Sequence, residues 1–157
     1  MTTDLEDMLT RLTDMQKDVI PFSDAVPVAT YAQEATDYWT NRITGFSVEE
    51  DSQDLQIITY TIDMTLVLAT TTEGYELGGL KMPSTVIPTV LLYFGQRRQL
   101  KRTSADASVT NLYPRGAMIT QGLVDEGAQQ SGIGQQMVVA TFTIAVPMYQ
   151  QTNQVIF

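Results

Sequence analysis

From Leu55 to Ala69 the chain alternates. Ile58, Tyr60, Ile62, Met64, Leu66 and Leu68 are large and apolar, while Thr59, Thr61, Asp63, Thr65 and Val67 between them are polar or β-branched. A period of two over this length predicts a strand with one face in a core and the other toward water or a partner. The pattern returns at Val138, Ala140, Phe142, Ile144, Val146 and Met148, which alternate with Val139, Thr141, Thr143 and Ala145. Two long, half-buried strands far apart in sequence are expected to be neighbours in an antiparallel or mixed sheet.

A different period opens the chain. Leu5, Met8, Leu9, Leu12, Met15 and Val19 recur at threes and fours, which predicts an amphipathic helix over Thr3–Ile20. Thr3 with Glu6 has the spacing of a capping box, Asp4, Glu6 and Asp7 suit the positive end of the helix dipole, and Pro21 stops the helix. Such a rod, about 25 Å long, can cover one face of a sheet. Val26, Val28 and Tyr31 fit a short edge strand, since Pro27 argues against a central one. Tyr38 and Trp39 serve either as a core plug or as a subunit anchor. Gly45–Val48 alternates and suits a strand paired with the long one, with Glu49–Asp54 as the turn between them.

Thr70–Gly79 reads as a loop, without the glycine and lysine spacing of a phosphate cradle. A second helix is predicted over Ser84–Leu100, with Ile87, Val90, Leu91 and Phe94 as its stripe and Pro88 in its first turn. Val86–Phe94 is also rich enough in β-branched and aromatic residues for a buried strand. Residues 99–116 suit a mobile loop, Ala117–Val124 a strand, Asp125–Gly134 a hairpin tip and Gln135–Tyr149 the closing strand. Residues 150–157 form a polar tail with an apolar tip, Val155, Ile156 and Phe157. The expected fold is one α+β domain over residues 1–157. Its mixed or antiparallel sheet of about four to five strands lies under an N-terminal and a central helix.

Composition narrows the chemistry. The 157 residues include no cysteine and no histidine, which removes disulfides, thiolate chemistry and the commonest general base and metal ligand. Glu49, Glu50, Asp51 and Asp54 do not make a calcium loop, because counting from Asp51 puts Leu55, Gln56 and Ile62 at positions five, six and twelve. No catalytic, metal or cofactor site is expected. The acidic N-terminal stretch lacks the regions of a signal peptide, and the apolar runs are too short to span a membrane, so assembly in the cytoplasm is expected.

The net charge of −9 is unevenly placed. Residues 1–76 hold 15 of the 18 acids and three bases, a net of −12, whereas residues 77–157 hold six bases and three acids, a net of +3. Arg97, Arg98, Lys101 and Arg102 are the concentrated positive charge, and a helix through them would set 97 beside 101 and 98 beside 102. They suit compensation of a helix C-terminus, contact with phosphate, or contact with acids of a neighbour such as Glu49, Glu50, Asp51 and Asp54. Val155–Phe157 suits docking on a neighbour, as an added strand for instance.

The order of helix Leu5–Val19, strand Ile58–Leu68, second helix and closing strand Val138–Met148 resembles the tail-terminator (tail-completion) proteins of long-tailed bacteriophages. The resemblance implies a homo-oligomeric ring, of six subunits, that caps the tail tube. The ring would meet the major tail-tube protein on one side and a head-completion or neck protein on the other, with DNA passing through its lumen without sequence-specific binding. It implies a virion location, no membrane, and no catalytic residue. Another ring protein of the phage neck or tail, and a non-viral nucleic-acid-binding module using Arg97–Arg102, are the rival readings.

Overall fold

A computed structural model describes residues 3–20, 24–26, 38–69, 82–129 and 136–152. Helix α1 spans Asp4–Val19, followed by strands β1 (Asp24–Val26), β2 (Tyr38–Ser52) and β3 (Leu55–Ala69). A π-helical turn, Met82–Val86, leads into α2 (Ile87–Gln96), and β4 (Met118–Gln129) and β5 (Gln136–Gln151) complete the order. The strands form one sheet in the order β1-β2-β3-β5-β4. Only β1 runs parallel to its neighbour. The fold is α+β, with helices on one face of the sheet.

The two alternating strands are neighbours, as their patterns predict: Ile58 pairs with Met148 and Leu68 with Val138 in an unbroken antiparallel register. Their shared inner face supplies Ile62, Met64, Leu66, Leu68, Val138, Ala140, Phe142, Ile144 and Val146, all buried. Helix α1 adds Met8, Leu9, Leu12, Met15 and Val19 to that core, and α2 adds Val90 and Phe94. Each large side chain so buried contributes about 1.5–3 kcal/mol. The capping box is present, with the Thr3 hydroxyl accepting from the Glu6 N–H at 3.1 Å and Glu6 Oε2 accepting from the Thr3 N–H at 2.7 Å. Trp39 is a core plug, its ring 5.9 Å from Phe142. Beside it Gln16 and Asn41 join α1 to β2 through two buried amide hydrogen bonds of 2.7 and 3.1 Å.

β2 begins at Tyr38 and not at Gly45, β5 takes in Gln150 and Gln151 of the expected tail, and three further boundaries differ from the sequence reading. Helix α2 carries Pro88 in its first turn but stops at Gln96, where the Arg97 N–H bonds to the Phe94 carbonyl. Leu100 is the reason. On a continued helix it would point away from the Val90–Phe94 face. Instead the chain bends, Leu100 takes φ 55°, and its side chain is wholly buried. That burial outweighs the few tenths of a kcal/mol per residue that more helix would add. The paired helical rows expected for 97/101 and 98/102 therefore do not exist.

Second, the acidic run is strand rather than turn. Glu49 pairs with Ile57 and Glu50 with Gln56, and the reversal falls at Gln53–Asp54. The ladder offered by Leu55–Ile58 overrides the poor strand preference of the carboxylates. Third, β4 runs on to Gln129, so Asp125 and Glu126 lie in the ladder, opposite Val139 and Val138, and not in the hairpin tip.

The stretch read as a mobile loop has a stitched path. Arg11 donates to the carbonyls of Leu100 (2.7 Å) and Ala107 (3.0 Å), and Asn111 donates to Asp4 at 2.6 Å. Tyr113 and Asn111 extend the sheet past the end of β4, bonding to Pro147 and Tyr149 of β5. Gly116 at φ 79° then lets the Ala117 N–H reach the Arg98 carbonyl at 2.7 Å. Val28, Tyr31, the loop Thr70–Gly79, the tip 130–135 and Val155, Ile156 and Phe157 lie outside the described residues.

Candidate assembly surface

The exposed large apolar side chains of the described residues occupy two places only. Ile43, Phe46 and Val48 lie on β2; on the other side Val124 of β4 lies with Leu91 and Leu92 of α2, while Met118 and Leu123, opposite Ala145 and Thr141, project from the far face of β4. Phe46 is 70% and Leu123 71% exposed. These are the opposite edges of the sheet. β1 pairs with β2 only across Tyr38–Thr40, so beyond Thr40 the outer side of β2 meets no described strand, and neither does the outer side of β4. A groove of about 430 Å³ runs between α2 and β4, lined by Ile87, Leu91, Ile119, Leu123 and Val124 among others. Unpaired edges with apolar side chains call for a cover.

The hairpin at the end of β2 is acidic and the turn after α2 is basic, although β2 also carries the exposed Arg42 and β4 the exposed Asp125. On the β2 side Glu49, Glu50, Asp51 and Asp54 project from the hairpin, all exposed. Glu49 faces Arg115 of its own chain at 3.9 Å, and among the described residues the other three have no cation within ion-pair distance. On the β4 side lies the turn after α2. Arg97 stacks 4.0 Å above the Tyr93 ring and donates to the Tyr93 carbonyl, the compensation of a helix end expected of a base there. Arg102 grips Asp18 of α1 through two bonds of 2.6 and 2.9 Å. That grip holds the Asp18 carboxyl below its ordinary value of 3.8 and raises the Arg102 guanidinium further. Burial, then the Asp18 charge, pushes the Tyr93 phenol up. Arg98 and Lys101 form no ion pair among the described residues and line a hollow of about 550 Å³. The four-base cluster of the sequence thus divides into two engaged bases and two available ones. Arg102 and Arg115 also turn part of the charge imbalance inward, joining second-half bases to first-half acids.

The chain matches no known family model and no curated protein. Its geometry therefore stands on its own. Among the described residues no three carboxylates converge as a metal site would require, and no helix is long and apolar enough to cross a membrane.

The face of the sheet turned away from the helices is largely hydroxylic. Thr65 and Thr141 hydroxyls touch at 3.2 Å, and Thr143 donates to Asp63 at 2.8 Å. The sequence showed this face through its odd positions but not the apolar edges. Leu91-Leu92 was the available signal: adjacent helical residues lie roughly 100° apart, so a narrow core stripe cannot hold both. Phe46 and Val48 were hidden differently, since they point to the helix side of the sheet at a height where α1 and α2 no longer cover it.

Proposed function

We propose that this chain is a structural ring protein of a bacteriophage tail. It closes the end of the tail tube and joins it to the head-completion complex, as the resemblance of its element order implies. The observation that carries the reading is the placing of exposed apolar groups on two different, opposite edges of one sheet. A subunit with two unlike sticky edges associates head to tail, and head-to-tail contacts make rings where the rotation closes and filaments where it does not. The hydroxyl-lined outer face adds support, since a surface of threonines without a row of cations lets DNA pass without being held. The nucleic-acid-module reading loses ground because Arg97 and Arg102 are engaged within the chain, leaving two bases where phosphate tracking needs a longer stripe.

The test is co-assembly. Purified protein mixed with tail tubes of the same phage should give a single ring at one tube end in negative-stain electron microscopy, and tubes so capped should stop growing. Tubes that elongate unchanged, with bare ends, would sink the reading.

A further inference from the structure

We infer that the outer edge of β4 is covered by Val155, Ile156 and Phe157 of the next subunit, added there as a strand. This rests on the ring reading, and it names the segment that ties one subunit to the next. The β4 edge is apolar on both faces. Met118 and Leu123 project from the far face, and Val124 lies with Leu91 and Leu92 of α2 on the helix face, all of them exposed. A strand that alternates apolar and polar residues satisfies one such face only. Three apolar residues in succession satisfy both, and residues 155–157 are such a run. β2 offers no such match, because its exposed Ile43, Phe46 and Val48 all share the helix face, opposite Ile62, Tyr60 and Ile58. No described strand lies beyond β4, so its outer N–H and C=O groups supply the ladder for an added strand. Gly122, opposite Phe142, carries no side chain and leaves room in the groove beside Val124 and Leu91.

The segment cannot cover the β4 edge of its own chain. Thr152 is bonded to the tip of the β2–β3 hairpin, its N–H donating to the Asp54 carbonyl at 2.9 Å and its hydroxyl to that of Gln53 at 3.3 Å. Ile119 pairs with Ile144, eight residues back from Thr152, and Val124 with Ala140, twelve back. At about 3.3 Å per residue these positions stand roughly 26 and 40 Å from Thr152 along the sheet. Phe157, five residues beyond Thr152, reaches at most about 18 Å. The occupant is therefore another copy. Charge selects its direction. Entry at the Val124 end would bring the acidic hairpin beside Thr152 up to the exposed Asp125, whereas entry at the Met118 end brings it to the turn that holds Arg98 and Lys101. The added strand thus runs parallel to β4, with Ile156 beside Leu123 on the far face and Val155 and Phe157 beside Gly122 and Val124 on the helix face. In that register Thr152 comes close to the level of Ile119, two residues from the Ala117 whose N–H bonds to the Arg98 carbonyl.

The chain has no cysteine, so introduced cysteines report the contact directly. Full-length Ile156→Cys and Leu123→Cys variants, mixed and oxidised with copper phenanthroline, should yield disulfide dimers containing one of each, while either variant alone stays monomeric. One chain carrying both changes should yield a ladder of covalent oligomers. Adding Leu91→Glu to the Leu123→Cys chain, which puts a charge in the groove, should cut the mixed-dimer yield several-fold. Arg98→Glu with Lys101→Glu should cut it roughly three- to tenfold at low salt and less at high salt. A fast-migrating monomer closed by an internal disulfide would overturn the inference, and so would equal dimer yields from a single variant alone. Subunits that crosslink through these positions yet never cap a tube would sink the tail reading and leave the contact standing. Rings seen on tube ends that fail to crosslink would overturn the contact and leave the tail reading standing.

Discussion

The guanidinium of Arg102 lies alongside the carboxylate of Asp18, Nε to one oxygen and Nη2 to the other, and so fastens the turn after α2 to the last part of α1. Because Asp18 titrates below its ordinary 3.8 in the folded protein, its contribution to stability is present above that value and is lost as pH falls through the lower folded one. Asp18→Asn should therefore lower the melting temperature at pH 7, and the gap to the parent protein should close below about pH 4. Thermal melts across that range check it; a gap that persists in acid would mean that Asp18 acts otherwise.

Gln16 and Asn41 satisfy each other inside the core. Gln16→Leu or Asn41→Leu alone leaves the other amide short of partners and should cost about 1–3 kcal/mol. The double variant should cost less than the two losses added together, as expected for coupled sites. Urea unfolding of the cycle measures this, and strict additivity would show that the pair is not coupled.

Arg11 spans the turn and the loop, touching Leu100 and Ala107 carbonyls and lying 3.5 Å from Asp106. Lysine cannot reproduce a planar fork that serves two carbonyls. Arg11→Lys should speed amide exchange across residues 100–110 while leaving β3 and β5 protected. Hydrogen exchange followed by mass spectrometry reads both.

At Gly116 an added Cβ would sit 2.5 Å from the Arg98 carbonyl oxygen, on a backbone at φ 79°. Gly116→Ala should cost about 2–3 kcal/mol, combining left-handed strain with loss of the Ala117–Arg98 bond. Denaturant titration measures this cost.

The long elements were legible because one physical rule governs each. Burial on one face imposes a period of two on β3 and β5 and a period near 3.6 on α1, and the structure keeps those boundaries within a residue or two. The failures came where two rules compete. Leu100 ended α2 early because entering the core outweighs another turn of helix, and no glycine or proline follows Arg97 to announce the break. Glu49–Asp51 became strand because a partner ladder was waiting, which residues 49–54 alone do not reveal. The engagement of Arg102 was invisible for the same reason: Asp18 lies 84 positions away, and only the packing of the loop on α1 joins them.

The sheet order also governs how the chain must reach its folded state. Asp63 and Thr143, bonded across β3 and β5, stand 80 positions apart, and β5 lies between β3 and β4, which both precede it in the chain. A nascent chain that has emerged only as far as β4 holds β3 with one flank bare and β4 with no strand to join. Closure then comes by insertion of β5 between two waiting strands, a non-local step that puts this domain among the slower folders, on the millisecond-to-second scale. Until that insertion, Ile62, Met64, Leu66 and Leu68 lack their β5 cover, and chaperones have a window in which to bind the growing chain.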